Sequence, residues 1–137
     1  MSAVVVGETD LQRLLAGLAP ELAERPRAIR SQPASEAVPA DAIMLFREQE
    51  GTTIVVAVDD AAVADTQDKA LWAQITLRIH SSLEAVGMLA AIASALAARD
   101  IPCNAVSAYY HDHLFVPWVR REDAIDALRE LSEGAPI

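Results

Sequence analysis

The chain is 137 residues long, 53% hydrophobic and 23% charged, a size that folds as one compact unit or as two small ones sharing a core. Its 11 basic against 20 acidic residues leave a net charge of −9, and with no basic stripe interleaved with aromatics, nucleic acid is set aside as a partner. No apolar run approaches the roughly 20 residues that cross a bilayer, and the opening MSAVVVGETD lacks the basic flank and apolar length of a secretory signal, so a cytoplasmic protein without membrane contact is expected.

In chain order, Thr9 and Asp10 precede Leu11, Leu14, Leu15 and Leu18, an apolar stripe at helical spacing behind a capping residue, stopped by Pro20. Between Pro26 and Pro39 the chain reads as extended or loop, with residues 27–31 a candidate strand. Two β-branched apolar runs follow, at 42–46 and 53–58, joined by Arg47-Glu-Gln-Glu-Gly51 with the turn chemistry of a hairpin. Residues 59–69 mix acids with small residues and mark the expected boundary between two units, 1–68 and 69–137. The adjacent Asp59 and Asp60 read there as solvated charge.

Residues 71–80 alternate, with Leu71, Ala73, Ile75, Leu77 and Ile79 on one face and Trp72, Gln74, Thr76, Arg78 and His80 on the other, the pattern of a half-buried strand. Ser81-Ser82-Leu83-Glu84 matches a capping box and predicts a helix from there to about Arg99, with Leu83, Val86, Leu89, Ala90, Ala93 and Leu96 on its inner stripe. Asp100 and Pro102 end it. Strands over 103–110 and 113–118 are expected around a tight turn at His111-Asp112. A last helix over 121–131 buries Ala124, Ile125, Leu128 and Leu131, with Glu122 and Asp123 in the first turn, where the helix dipole favours them.

The second half is thus β-α-β-β-α. A right-handed crossover makes the first two of these strands parallel, and the hairpin strand slots between them. The expected fold class is α+β: a ferredoxin-like antiparallel sheet with helices packed on one face. Its last strand is missing after Leu131, which leaves room for a strand from the first half or from another chain to complete the sheet.

This topology gathers His80, His111, Asp112 and His113 at one end of the sheet, around the start of the long helix. The free amides of Leu83, Glu84, Ala85 and Val86 and the positive end of the dipole would favour an anion there. Three readings stay open: a metal site using the H-x-H spacing, a small-molecule site holding a carboxylate or amino acid, and a polar turn with no ligand. Of the six aromatic residues, four lie between positions 109 and 118. Strand alternation sends Tyr109 and Tyr110 to opposite faces, while Phe115 reads as core and Trp118 as packing or a dimer contact. Cys103, the one cysteine, cannot form an internal disulfide, which agrees with a reducing compartment, and reads as a small buried hydrophobe.

The block ITLRIHSSLEAVGMLAAIASALAARDIPCNAVSAYYHDHLFVPW resembles the ACT domain superfamily, small ligand-binding modules of amino-acid metabolism. With its HSSLEAVG and YYHDHLFVP strings and the opening GETDLQRLLAGLAPEL, the chain is most similar to a bacterial group of stand-alone tandem-ACT proteins. The resemblance implies two ACT-like units in tandem, the first of them divergent, with Arg25-Pro-Arg-Ala-Ile-Arg30 where members of the group carry an aromatic-containing strand. In ACT domains the loop from first strand to first helix ends in Pro-Gly, preceded by polar residues that contact a bound amino acid. Here Gly87 takes the Gly position, Val86 replaces the Pro, and Ser82 and Glu84 hold polar positions. The Asn that usually follows the helix is replaced by Pro102, with Asn104 two residues later.

The implied function is a non-enzymatic regulatory or sensor module that binds a small molecule, an amino acid, with no cofactor and no catalytic residues. The candidate ligand-binding residues are Ser81, Ser82, Leu83, Glu84, Ala85, Val86, Gly87, Asn104, His111, Asp112 and His113. The loop amides would take the ligand carboxylate, and Glu84 or Asp112 its ammonium. Because ACT-like sheets assemble side by side, a homodimer is expected. Two alternatives stand beside this reading: a metal-dependent enzyme or metal-binding protein using His80, His111 and His113, and a pure protein-interaction module whose sheet edge pairs with another chain. Against an enzyme, the sequence holds no nucleophile elbow, phosphate loop, dinucleotide glycine pattern or HExxH.

Overall fold

The structure is a computed structural model that describes residues 10–59 and 70–134. Thr9, Asp60 and nearly all of the expected boundary segment 59–69 lie outside the described residues. The elements, in order, are α1 (Leu11–Ala16), β1 (Pro20–Leu22), β2 (Arg27–Gln32), β3 (Met44–Arg47), β4 (Thr52–Ala57), β5 (Trp72–Leu77), α2 (Met88–Ala97), β6 (Asn104–Ser107), β7 (Asp112–Pro117), a short 3₁₀ turn (Trp118–Arg120) and α3 (Arg121–Glu133).

The local chemistry explains most boundaries. The Asp10 side chain accepts a hydrogen bond from the Arg13 amide at 3.1 Å and caps α1, satisfying one of the amides a helix start leaves free. In the β3–β4 hairpin, a Cβ on Gly51 would lie 2.7 Å from the Gln32 carbonyl oxygen of the neighbouring strand, so only glycine lets the backbones approach there. Past α1, Pro20 does more than stop a helix. It opens β1, which pairs antiparallel with β5, Pro20 opposite Leu77 and Leu22 opposite Ile75.

All pairings are antiparallel, in the order β3-β4-β2-β5-β7-β6, with β1 also on β5. The stretch β1-β5-β7-β6 is the ferredoxin-like sheet: β7 descends between β5 and β6, and β1, from the first half of the chain, supplies the missing edge. β2 meets β5 only at Arg27 opposite Trp72, and there the sheet turns away into β4 and β3.

Three helices cover one face of the β1-β5-β7-β6 portion. Leu14 from α1, Leu18 just after it, Ile75 and Leu77 from β5, Ile92 and Leu96 from α2, Leu114 from β7 and Leu128 from α3 form its fully buried core. Each such side chain stabilises the fold by about 1.5–3 kcal/mol relative to exposure. The Ser132 hydroxyl donates to the Ala16 carbonyl at 2.9 Å and ties the end of α3 to the end of α1. A smaller cluster of Ala28, Ile54, Val56 and Val58 packs against Val38, Ala42 and Leu71.

Two expectations are corrected. The long helix begins at Met88, not at the Ser81–Glu84 capping box: Ser82 Oγ accepts from the Glu84 amide at 3.1 Å and its carbonyl accepts from Ala85, closing a turn. Gly87, at φ +95°, has a backbone that cannot continue a right-handed helix, so Leu83 and Val86 stay exposed and the buried stripe is Met88, Ile92 and Leu96. Likewise the β6–β7 turn is 108–111, closed by an Ala108 amide to His111 carbonyl bond, with Ser107 paired to Asp112. Tyr109 and Tyr110 therefore sit exposed at a hairpin tip rather than on opposite faces of a strand, and Asp112 opens β7.

Candidate functional site

Alternation along β7 sorts its residues between two environments. Asp112, Leu114 and Val116 face the helices; His113 and Phe115 face away. Asp112 is 7% exposed, and its Oδ2 accepts a hydrogen bond from the Ser81 hydroxyl at 3.1 Å. It takes part in no ion pair among the described residues. A buried carboxylate without a cation is costly to desolvate.

Beside Asp112 the chain runs through residues 81–87 into α2. Gly87 is the N-cap and makes no side-chain capping bond, and the first intrahelical bond is from the Ala91 amide to the Gly87 carbonyl. The amides of Met88, Leu89 and Ala90 thus have no helical acceptor. Together these groups bound a pocket of about 130 Å³, lined by Ser81, Ser82, Leu83, Ala85 and Gly87, by Met88, Leu89 and Ala90, and by Ser107, Ala108 and Asp112 across the gap.

Of the residues proposed from the sequence, Ser81, Ser82, Leu83, Ala85, Gly87 and Asp112 meet here. Glu84 and Val86 lie on the loop but outside the lining. Asn104 pairs with Phe115 and so shares the opposite sheet face. Sequence reasoning missed Met88, Leu89, Ala90, Ser107 and Ala108. Starting the helix at Gly87 instead of Ser82 would have found the first three, because glycine is a common N-cap.

The histidines do not ring the helix start. His113 belongs to the far face, where Thr76 Oγ1 lies 2.9 Å and Gln74 Nε2 3.4 Å from its Nδ1. Its ring centre is 6.4 Å from that of His111, while His80 packs on Tyr110 at 5.7 Å. Burial holds the His113 imidazole below the usual histidine range, helped by His111 and Arg78 and opposed by Asp112. Among the described residues no three His, Cys, Asp or Glu side chains converge to hold a metal ion. Cys103 packs half-buried against the helical core, and burial pushes its thiol pKa up, away from the reactive thiolate. Trp118 is also partly buried, with Arg121 stacked 4.0 Å from the ring centre.

No helix of the described residues is long and apolar enough to cross a membrane. Two ACT domain family models match the chain in succession, one over residues 6–71 and another over residues 72–130. The chain is similar to VC0802 of Vibrio cholerae, a crystal structure of a protein of unknown function described as a possible transport protein, with 36% identity over 85% of this chain and 92% of that one and a TM-score of 0.69. Protein Atu0741 of Agrobacterium tumefaciens, at 22% identity over 82% and 87% of the two chains and a TM-score of 0.63, shares the fold. None of the curated proteins compared with the chain matches it. With an ACT model on each half and helices layered on an antiparallel ferredoxin-like sheet, the chain belongs to the ACT domain superfamily as a tandem pair of ACT domains, a class that is typically regulatory and binds small molecules.

Proposed function

We propose that this protein is a non-enzymatic cytoplasmic sensor of a small amino acid, bound between the 81–90 segment and β7, with its two ACT units spanning 1–68 and 69–137. The observation that carries the reading is Asp112: a carboxylate 7% exposed, hydrogen-bonded to Ser81 and without an ion-pair partner among the described residues, opens on a helix start whose amides lack a cap. A ligand with an ammonium and a carboxylate answers both needs. Its ammonium offsets the desolvated charge of Asp112, and its carboxylate takes the Met88, Leu89 and Ala90 amides, where the dipole is positive. These amides replace the Leu83–Val86 set expected from the sequence. The pocket volume of about 130 Å³ and the methyl groups of Ala85, Ala90 and Ala108 in its wall favour a small side chain. Exposed Leu83 and Val86 on the loop, with Tyr109 and Tyr110 beside Ala108, support a homodimer that buries this rim.

A thermal-shift panel of amino acids and divalent metals, run with and without chelator, tests the reading. At a hundredfold excess over Kd a ligand that binds only the folded state stabilises it by about 2.7 kcal/mol. The expected result is a shift with a small amino acid that survives chelator, is lost in Asp112→Asn and persists in Glu84→Ala. A shift confined to zinc and lost in His113→Ala returns the metal reading. No shift with any compound leaves the interaction module.

A further inference from the structure

A second cavity lies on the sheet face opposite the helices, and we infer that it is a separate binding site for a small apolar molecule ending in a carboxylate, of the size of benzoate or a branched short-chain acid. It holds about 230 Å³ and is lined by Ile43, Met44, Val106, Phe115, Gln74 and His113, with Ala108 at its rim. Met44 belongs to β3 and Val106 to β6, the two ends of the strand order. The sheet therefore curls until its ends meet over one hollow, and a ligand there would hold the two halves of the chain together. For scale, an apolar cavity of about 150 Å³ accommodates benzene, so a ring or branched chain with one polar end fills this one.

The polar end is set by a chain of hydrogen bonds. Arg27 Nε donates to Gln74 Oε1 at 2.9 Å. Because a guanidinium only donates, this contact fixes the Gln74 amide with its NH₂ toward Thr76 Oγ1 and His113 Nδ1, each at 3.4 Å. In the tautomer that continues this chain, the Thr76 hydroxyl, accepting from the Gln74 NH₂, donates in turn to the single Nδ1 lone pair at 2.9 Å. The ring proton is left on Nε2, the one donor the imidazole keeps for a ligand. The wall thus offers donation, not acceptance. Arg27 stands behind Gln74; Arg78, which acts on His113 together with His111, is ion-paired with Glu21 of β1 at 3.6 Å, the residue opposite Thr76. Asp112, the one acid acting on His113, is directed to the other side of β7. An ammonium would meet donors and the like charge of Arg27, whereas a carboxylate meets donors backed by that one cation, unpaired among the described residues.

Calorimetric titration of the full chain with benzoate, benzyl alcohol and benzylammonium tests this. Benzoate should bind, benzylammonium should not, and benzoate affinity should rise several-fold from pH 8 to pH 5.5, because the bound anion raises the affinity of His113 for a proton. His113→Gln should hold the affinity at its pH 8 level throughout, and Val106→Phe, which fills the cavity, should abolish binding. Asp112→Asn should leave benzoate binding intact, which separates this site from the amino-acid pocket. The proposal is overturned if benzoate fails to bind, if benzylammonium binds equally, or if both His113→Gln and Val106→Phe leave the binding and its pH dependence unchanged.

Discussion

Gly87 holds φ +95° at the N-cap of α2, a backbone setting that costs other residues about 1–2 kcal/mol. A Cβ there would touch Leu11 at an ordinary 3.4 Å, so the strain of Gly87→Ala is conformational and not steric. Urea denaturation should show a loss of about 1–2 kcal/mol, and a larger loss would mean that the 81–87 loop rearranges. His113 has the opposite sensitivity, to protons. Its pKa is lowered in the folded chain by burial and by its neighbours His111 and Arg78, so the unfolded chain takes up the proton first, near the ordinary value of about 6.5. The contribution of neutral His113 is complete above that pH and is lost as pH falls through the folded-state value. The urea midpoint should therefore drop more between pH 7.5 and 5 in the native chain than in His113→Gln. Residue types alone pointed to Asp112 and the serines as polar site groups. They could not separate Asp112 from His113, because adjacent strand residues face opposite ways and the turn was placed two residues too late.

At the scale of elements, α1 has six residues, too few to be stable as an isolated helix. The Asp10 cap and the burial of Leu14 and Leu15 hold it in place. Leu14→Ala should cost about 2–5 kcal/mol, as buried leucine truncations do, read as a shift of the denaturation midpoint. A cost below 1 kcal/mol would show that α1 contributes little to the core. The leucine spacing made this helix evident in the sequence, as strict alternation did for β5 and the inward stripe of Ala124, Ile125 and Leu128 did for α3. The start of α2 was not evident. Ser81 and Glu84 satisfy the capping-box pattern, but a downstream glycine in the left-handed region stops a helix from passing through it, and the sequence does not display φ. β1 was hidden for a related reason: three residues beginning with a proline carry no periodicity, and only pairing with β5 makes them a strand.

For the whole molecule, the second ACT unit draws its edge strand and part of its core from the first half. Residues 70–134 made alone leave the β5 edge unpaired and remove Leu14, Leu15 and Leu18 from the core, an arrangement that invites association. We expect that segment to oligomerise, and expect residues 10–24 rejoined after residue 134 through a flexible linker to restore a monomer with protected β5 amides, checked by sedimentation and hydrogen exchange. A stable monomer from 70–134 alone would count against the shared core. Periodicity and the crossover rule were enough to derive the α+β class, the β7-between-β5-and-β6 order and the open place for a further strand, because these follow from local burial patterns and chain handedness. Which strand is borrowed, which face each β7 residue takes and how far the sheet curls depend on register and on contacts between residues distant in sequence, such as Arg27 with Gln74 and Ser81 with Asp112. Those contacts, with strand alternation, divide one expected histidine cluster between two environments on opposite faces of the same strand.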